Sequence, residues 1–415
     1  MLHYRIIIII TALLWEPLLS MAQQDEAGSF SIFAAQQEKV FVSLYEKRDV
    51  KSYTSLLDTW LHRYNELPDT ARKQYTRYLA NAHYNLSCTY ALLHRTEPAL
   101  DHLAQSIRAG YGNYSHIMQD ADLASIRGIP RFKTLVQPLR ATSDYLYILQ
   151  RGKGYNGQDN RPLPAFTYQA ANDSNLVALR KGFKLDSIAG QGNDASKVLN
   201  VLHWVHELIP HDGNHENPAV KNALNMISVC RKEGRGLNCR GLATVLNECY
   251  LAMGFASRLV TCLPKDSLGT DSDCHVINMV YVPSLKKWIW ADPTQDAYVM
   301  NEKGELLGIQ EVRERLIRNQ PLILNPTANW NHQSSTTKEY YLYNYMAKNL
   351  YILQCPVNSA YNMETPEAGK TIQYIQLNPL DYFKQKPDVT TSTRKSGTTY
   401  QYYNTNNPAA FWQLP

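Results

Sequence analysis

The chain has 415 residues, of which 44% are hydrophobic and 19% charged, and 42 basic against 37 acidic side chains give a net charge of +5. This length suggests two or three domains, each with ample apolar material for a buried core. The basic residues are scattered rather than gathered into a stripe, which argues against nucleic acid as a partner.

At the N-terminus, Arg5 precedes the apolar stretch Ile6 to Leu14, and Ser20-Met21-Ala22 puts small residues at the two positions a signal peptidase reads. Glu16 and Pro17 interrupt the apolar run, which is too short for a comfortable membrane span. Residues 1–22 are therefore expected to be a cleaved secretory signal. The mature chain is expected to be exported, periplasmic or extracellular, with no membrane span.

Residues 31–140 read as a helical arm. Val40, Leu44, Tyr53, Leu56, Leu57 and Trp60 recur at helical spacing before a break at Pro68-Asp69, and Gly110 ends a later helix pair. Tyr78, Tyr84, Asn85, Tyr90, Ala91, Ala99 and Leu103 form a small/aromatic pattern that resembles tetratricopeptide helix pairs. By that resemblance the arm is a surface on which a protein partner could dock. Residues 141–184, with Gly152, Gly154, Gly157, Pro162 and Pro164, read as a linker with a strand near Phe166 to Tyr168. Residues 185–324 carry the candidate catalytic motifs. Residues 325–415 are a tyrosine-rich extension whose runs at Tyr340–Tyr345 and Tyr400–Tyr403 suggest short strands.

Three residues of the central segment are the candidate catalytic set: Cys239, His275 and Asp292. Asn238 is a good N-cap, the apolar-periodic run from Leu242 to Met253 makes a helix, and Gly254 stops it. Cys239 then occupies the first helical position. The helix dipole contributes only ~0.3–1 kcal/mol there, less than one pKa unit, so the helix alone does not make a nucleophile. An imidazolium partner can lower a thiol by several units. His275 opens the strand-like run to Val282, and Asp292 closes Trp288-Ile289-Trp290-Ala291. A turn centred on Pro283-Ser284 sets His275 opposite Asp292. A turn centred on Leu285 shifts the partner by about three residues, and either register leaves Asp292 close enough to orient the imidazole. The fold class expected is α+β, with a helix bearing Cys packed on an antiparallel sheet bearing His and Asp.

The segments Asn238-Cys239-Arg240-Gly241-Leu242-Ala243, Gly254–Val260, His275–Tyr281 and Lys287–Thr294 resemble the transglutaminase-like superfamily. That resemblance implies a papain-like core in which Cys239 is the nucleophile, His275 the base and Asp292 its orienter. It also implies chemistry on peptide or other amide bonds, with a peptide or protein as substrate. Hydrolysis is the favoured outcome; acyl transfer to an amine, or an inactive peptide-binding module, are the alternatives. Many members carry Gly two residues before the cysteine, where this chain has Leu237. The backbone amide of Cys239 is available as an oxyanion donor, and Gln191 and Trp204 are the side chains suggested for that role.

His203, His206, His211 and His215 are the main set with a metal-like look, and Cys274 beside His275, with Cys262, lacks a recognised ligand spacing. Because an ordinary amphipathic helix accounts for His203 and His206, neither a metal nor a cofactor is expected. With Cys239 set aside, six cysteines remain, and Cys262 with Cys274 is the best local candidate for a disulfide. Free or buried thiols are the alternative. Sugar binding by the tyrosine-rich extension is a third functional reading, against which stands ordinary packing of those rings.

Overall fold

The computed structural model describes residues 28–265, 274–383 and 389–415. The proposed signal segment, residues 1–22, lies outside the described residues. Among the described residues no helix is long and apolar enough to cross a membrane. The chain divides into two compact units, Met1–Asp144 and Tyr145–Pro415.

The first unit is helical. Two of its helices, α1 (Thr76–Leu92) and α2 (Thr96–Arg108), are joined by a tight turn in which His94 takes a positive φ of 57°. Ala99, Leu100 and Leu103 of α2 pack with Tyr84, Cys88 and Ala91 of α1 in a core completed by Phe132 and Val136. Small residues at the contact let the two backbones approach closely. Gly110, at φ 103°, follows the end of α2.

The second unit is α+β and is built on a seven-stranded sheet. Its strands are β1 (Ser257–Leu263), β2 (His275–Val282), β3 (Lys287–Ala291), β4 (Ile352–Pro356), β5 (Thr371–Leu377), β6 (Val389–Thr393) and β7 (Thr399–Thr405). Their spatial order is β6-β7-β5-β4-β1-β2-β3. Only β5 and β7 run parallel; every other neighbouring pair is antiparallel. β1 and β2 are buried over almost their whole length because both faces are covered. On one side α3 (Asp194–Leu208), α4 (Ala223–Glu233) and α5 (Cys239–Ala252) pack against Val280, Val282, Ile289 and Ala291. On the other, Ile277, Met279 and Trp290 meet α6 (Ile309–Ile317) and the segment around Tyr341–Tyr351.

The tyrosine-rich segment does not stand apart from this core. It supplies β4 to β7, four of the seven strands, and residues Thr167–Tyr168 of the glycine- and proline-rich stretch pair with Asn358–Ser359. The Tyr400–Tyr403 run lies in β7 as a strand. The Tyr340–Tyr345 run does not form a strand: Tyr341–Met346 is a single wide helical turn burying Tyr341, Leu342 and Met346. Strand propensity of tyrosine is overridden there because three apolar side chains must reach the same core from a closed turn. No disulfide joins the described cysteines. Cys262 is set against His275 in the β1–β2 ladder, not against Cys274, so the proposed hairpin bridge does not form.

Candidate active site

α5 delivers Cys239 to the sheet with its first turn fixed from two sides. The Asn238 side chain accepts from the Gly241 amide at 3.2 Å, the N-cap bond the sequence calls for. Asn217 locks that cap: its Nδ2 donates to Asn238 Oδ1 at 2.6 Å while its Oδ1 accepts from the Asn238 amide at 3.1 Å. A Cβ at position 241 would lie 2.5 Å from Asn217 Oδ1, so the glycine of the Asn-Cys-Arg-Gly run lets Asn217 sit against the turn.

The thiol then meets the start of β2. Its Sγ lies 4.0 Å from the Cys274 carbonyl oxygen and makes hydrogen bonds with His211, His275 and the Val276 amide. His275 Nε2 is 2.7 Å from Asp292 Oδ2, which leaves Nδ1 as the nitrogen for the thiol. Asp292 also accepts from the Tyr341 hydroxyl and, at 2.9 Å, from the Thr294 amide. Trp290 Nε1 donates to the Tyr341 hydroxyl at 3.2 Å, and Tyr345 packs edge-on against the His275 ring at 5.1 Å. His275 and Asp292 are buried to 1% and 0% exposure of their side chains, so their pairing is shielded from water.

The register explains the meeting. Val282 pairs with Lys287, centring the turn between Ser284 and Leu285, and the ladder runs to Asn278–Ala291. One further step sets Asp292 against Ile277, two residues from His275 and in the same alternation. The three residues named from the sequence are thus brought together.

Burial alone would push the Cys239 thiol up. The hydrogen bonds from His211 and His275 and the charge of His275 outweigh it and bring the thiol down to about 6. For His275, burial favours the neutral ring, but the Asp292 carboxylate overrides it and raises the imidazole to about 10. Asp292 is held below its ordinary value despite its burial, chiefly by the His275 charge. At neutral pH the arrangement is a thiolate, an imidazolium and a carboxylate in a row. Such a sulfur is a nucleophile, and the ring beside it is a proton donor.

The other sequence candidates go elsewhere. Gln191 is exposed in the loop before α3, and Trp204 packs on Phe183 at 5.6 Å, so neither side chain is at the thiol. The four histidines part company. His203 pairs with Asp296 at 2.8 Å and His215 with Asp212. His206 has both ring nitrogens engaged, Nδ1 with the Pro293 carbonyl and Nε2 with Asn329 Oδ1. His211 alone reaches Cys239. His206, Glu207 and His332 lie close enough together to be metal ligands in principle, with both His206 ring nitrogens already within hydrogen-bond distance of protein oxygens. Sequence reasoning missed His211 and Tyr341 as members of the site. The signal for His211 was Gly236, where a Cβ would collide with Pro210 and Asp212.

Residues 182–293 match the family model of the transglutaminase-like superfamily. The transglutaminase-like segment thus runs from the end of the helix Ser174–Gly182 to the residue after Asp292, and contains Cys239, His275 and Asp292. A crystal structure of a candidate cysteine protease from Cytophaga hutchinsonii is similar at 17% identity, with a TM-score of 0.22, over 36% of this chain and 47% of that one. The match therefore spans about half the length of that protein. No curated protein sequence matches the chain.

Proposed function

We propose that this chain is an exported thiol enzyme that hydrolyses peptide or other amide bonds, with Cys239 as nucleophile, His275 as acid and base, and Asp292 orienting His275. The observation that carries this reading is the His275 ring, hydrogen-bonded through Nε2 to a buried carboxylate and through its other side to the thiol. The match of residues 182–293 to the transglutaminase-like superfamily supports a cysteine-dependent enzyme in general.

In this mechanism Cys239 Sγ adds to the carbonyl carbon, and the carbonyl π pair moves to oxygen. As the oxyanion collapses, the C–N bond breaks and the His275 Nδ1 proton goes to the leaving amine. The thioester is then attacked by water, whose proton His275 takes back, releasing the acid and the thiolate. Hydrolysis is preferred to transfer because Cys239 is only half-buried, so water reaches the thioester. Transfer to an amine, as in cross-linking enzymes, is the alternative.

Export rests on the N-terminal sequence alone, with the mature chain beginning at Gln23. The helical unit is the proposed platform for a protein partner.

The test is turnover of a mixture of peptide and glutamine-amide substrates by the full chain, with and without a primary amine, read by mass spectrometry. Free acid as product, and a loss of at least ~10⁴-fold in Cys239→Ala, are expected. Unchanged turnover in Cys239→Ala sinks the mechanism, and amine adducts in place of acid move the assignment to acyl transfer.

A further inference from the structure

Cys239 is flanked by two histidines, and only His275 belongs to a motif that the sequence offers. The segment bearing the other, Pro210-His211-Asp212, runs parallel to the approach to α5: His211 bridges Leu237, the Asp212 amide donates to the Leu237 carbonyl at 2.7 Å, and the Leu237 amide donates to the Pro210 carbonyl at 3.2 Å. This closeness requires Gly236, since a Cβ there would lie 2.3 Å from the Pro210 carbonyl oxygen and 2.8 Å from Asp212 Cβ. Asn331 then clamps the His211 backbone at both ends, its Oδ1 accepting from the His211 amide at 2.7 Å and its Nδ2 donating to the His211 carbonyl at 2.8 Å.

The ring is fixed as well. Trp330 Nε1 donates to His211 Nδ1 at 3.2 Å, with the two rings crossing edge to face at 61°. An indole nitrogen can only donate, so His211 Nδ1 must be an acceptor and carries no proton. The ring proton is therefore on Nε2, and His211 is a neutral N–H donor. Its other bond goes to Cys239. The two histidines thus differ in kind: Asp292 behind His275 makes an imidazolium, whereas an indole behind His211 makes a fixed neutral donor. The titratable groups around His211 are Asp212, His215, Cys239 and His275, and Asp212 is already engaged by the Asn214 amide and His215.

We propose that His211 is a further catalytic residue and Trp330 its positioning residue: His211 Nε2–H donates first to the Cys239 thiolate and then to the oxyanion that forms as sulfur adds to the carbonyl. This rests on the thiol-enzyme reading above. No proton leaves His211 in the step. The negative charge moves from Sγ to the carbonyl oxygen as the S–C bond forms, and one pre-set donor follows it. The charge needs a donor already in place, because a donor that must reorient contributes far less. The role assigned to Gln191 or Trp204 in the sequence reading passes to His211.

The test uses the full chain and a substrate-independent probe, iodoacetamide, with Cys239 labelling followed by mass spectrometry from pH 4.5 to 10. The variants are His211→Leu, His211→Gln, Trp330→Phe and His275→Ala, each first checked for an unchanged melting temperature. His211→Leu is expected to raise the apparent thiol pKa by roughly one unit, the size of one charge-assisted hydrogen bond. It should also lower kcat for an amide by about 10²–10³-fold with little change in KM. His211→Gln, which keeps an N–H near the Nε2 position, should recover most of both. Trp330→Phe removes the donor that fixes the His211 ring, so it should change the profile without abolishing turnover. If the native thiol titrates as an ordinary cysteine, the thiol-enzyme reading and this inference fall together. If it is depressed, and His275→Ala alone restores it while His211→Leu changes nothing, His211 has no such role and the mechanism stands without it. Equal losses in His211→Leu and His211→Gln also overturn the inference. Should His211→Leu not fold, the contrast between His211→Gln and Trp330→Phe decides: a normal profile in both rejects the assignment.

Discussion

Cys88 in the helical unit and Cys239 in the sheet unit are both helix cysteines enclosed by polar side chains, and their environments drive them in opposite directions. Around Cys88, Asp120 Oδ2 lies 3.6 Å from the sulfur and also accepts from the Tyr84 hydroxyl at 2.7 Å, while Tyr45 is hydrogen-bonded to Asp122. Burial, and then the Asp120 and Asp122 carboxylates, push that thiol far above its ordinary value. Around Cys239, burial pushes the same way, but two imidazoles outweigh it. Burial by itself makes a cysteine inert; cationic or donating neighbours make it a nucleophile. Cys249 and Cys355 fall on the inert side: burial pushes both up, with Glu248 adding to it at Cys249 and the Arg258 charge opposing it only in part at Cys355.

The largest break in this comparison comes from removing the cation. In His275→Ala, a thiol returning from about 6 to the ordinary value near ~8.5 loses roughly 80-fold of its thiolate at pH 6.5. The more basic thiolate is intrinsically about tenfold more nucleophilic, so net alkylation is expected to fall about 5- to 10-fold. Amide turnover should fall much further, by ~10²–10⁴, because the proton donor is gone too. The native pH profile follows from the same values. Turnover needs thiolate and imidazolium together, so it rises as Cys239 loses its proton near about 6 and falls as His275 loses its own near about 10. A profile with one rising limb near pH 8.5 would show that no such ion pair exists.

Cys239, His275 and Asp292, which the structure brings together, could be picked from the sequence because each sits at a local boundary that short-range rules recognise: Cys239 after an N-cap, His275 at the head of an alternating run, Asp292 before a proline turn. The residues that complete the site carry no local mark. Tyr341 reaches Asp292 from 49 positions away, on a wide helical turn that its own tyrosine-rich sequence argued against. Asn331 brings the Trp330 loop to His211, and the missing Cβ at Gly236 lets the His211 segment lie against the approach to α5. The same holds for the sheet. The hairpin of β2 and β3 was legible from alternation and turn chemistry, whereas alternation says nothing about which distant strand pairs with which. That β4 lies beside β1 and carries β5, β7 and β6 outward is set by long-range packing.

A smaller effect sharpens what holds the imidazolium in place. Tyr341→Phe removes one of the hydrogen bonds to Asp292 and leaves those from His275 and the Thr294 amide. The carboxylate stays ionised and within reach of His275, so the thiol profile should move little. What is lost is orientation, and kcat is expected to drop about 3- to 10-fold, the size of one net hydrogen bond. Steady-state kinetics beside the alkylation profile separates the two effects. A loss as deep as that of His275→Ala would mean that Tyr341 does more than steady Asp292.

The smallest expected effect tests the inert side of the comparison. Asp120→Asn removes the carboxylate beside Cys88 and keeps an oxygen for the Tyr84 hydroxyl. If charge were the main cause of the raised thiol, Cys88 should become labelled at neutral pH. Burial is instead the larger cause, and the Asn side chain does nothing to expose a sulfur in a residue 1% accessible. Labelling of Cys88 at pH 8 in the folded chain is therefore expected to change less than about threefold, with Cys239 labelling unaltered as the internal control. Cys88 alkylating as fast as Cys239 in that variant would reverse the argument: a carboxylate, not burial, would then be what keeps a helix cysteine silent, and the reactivity of Cys239 would owe as much to the absence of acids beside it as to its two histidines.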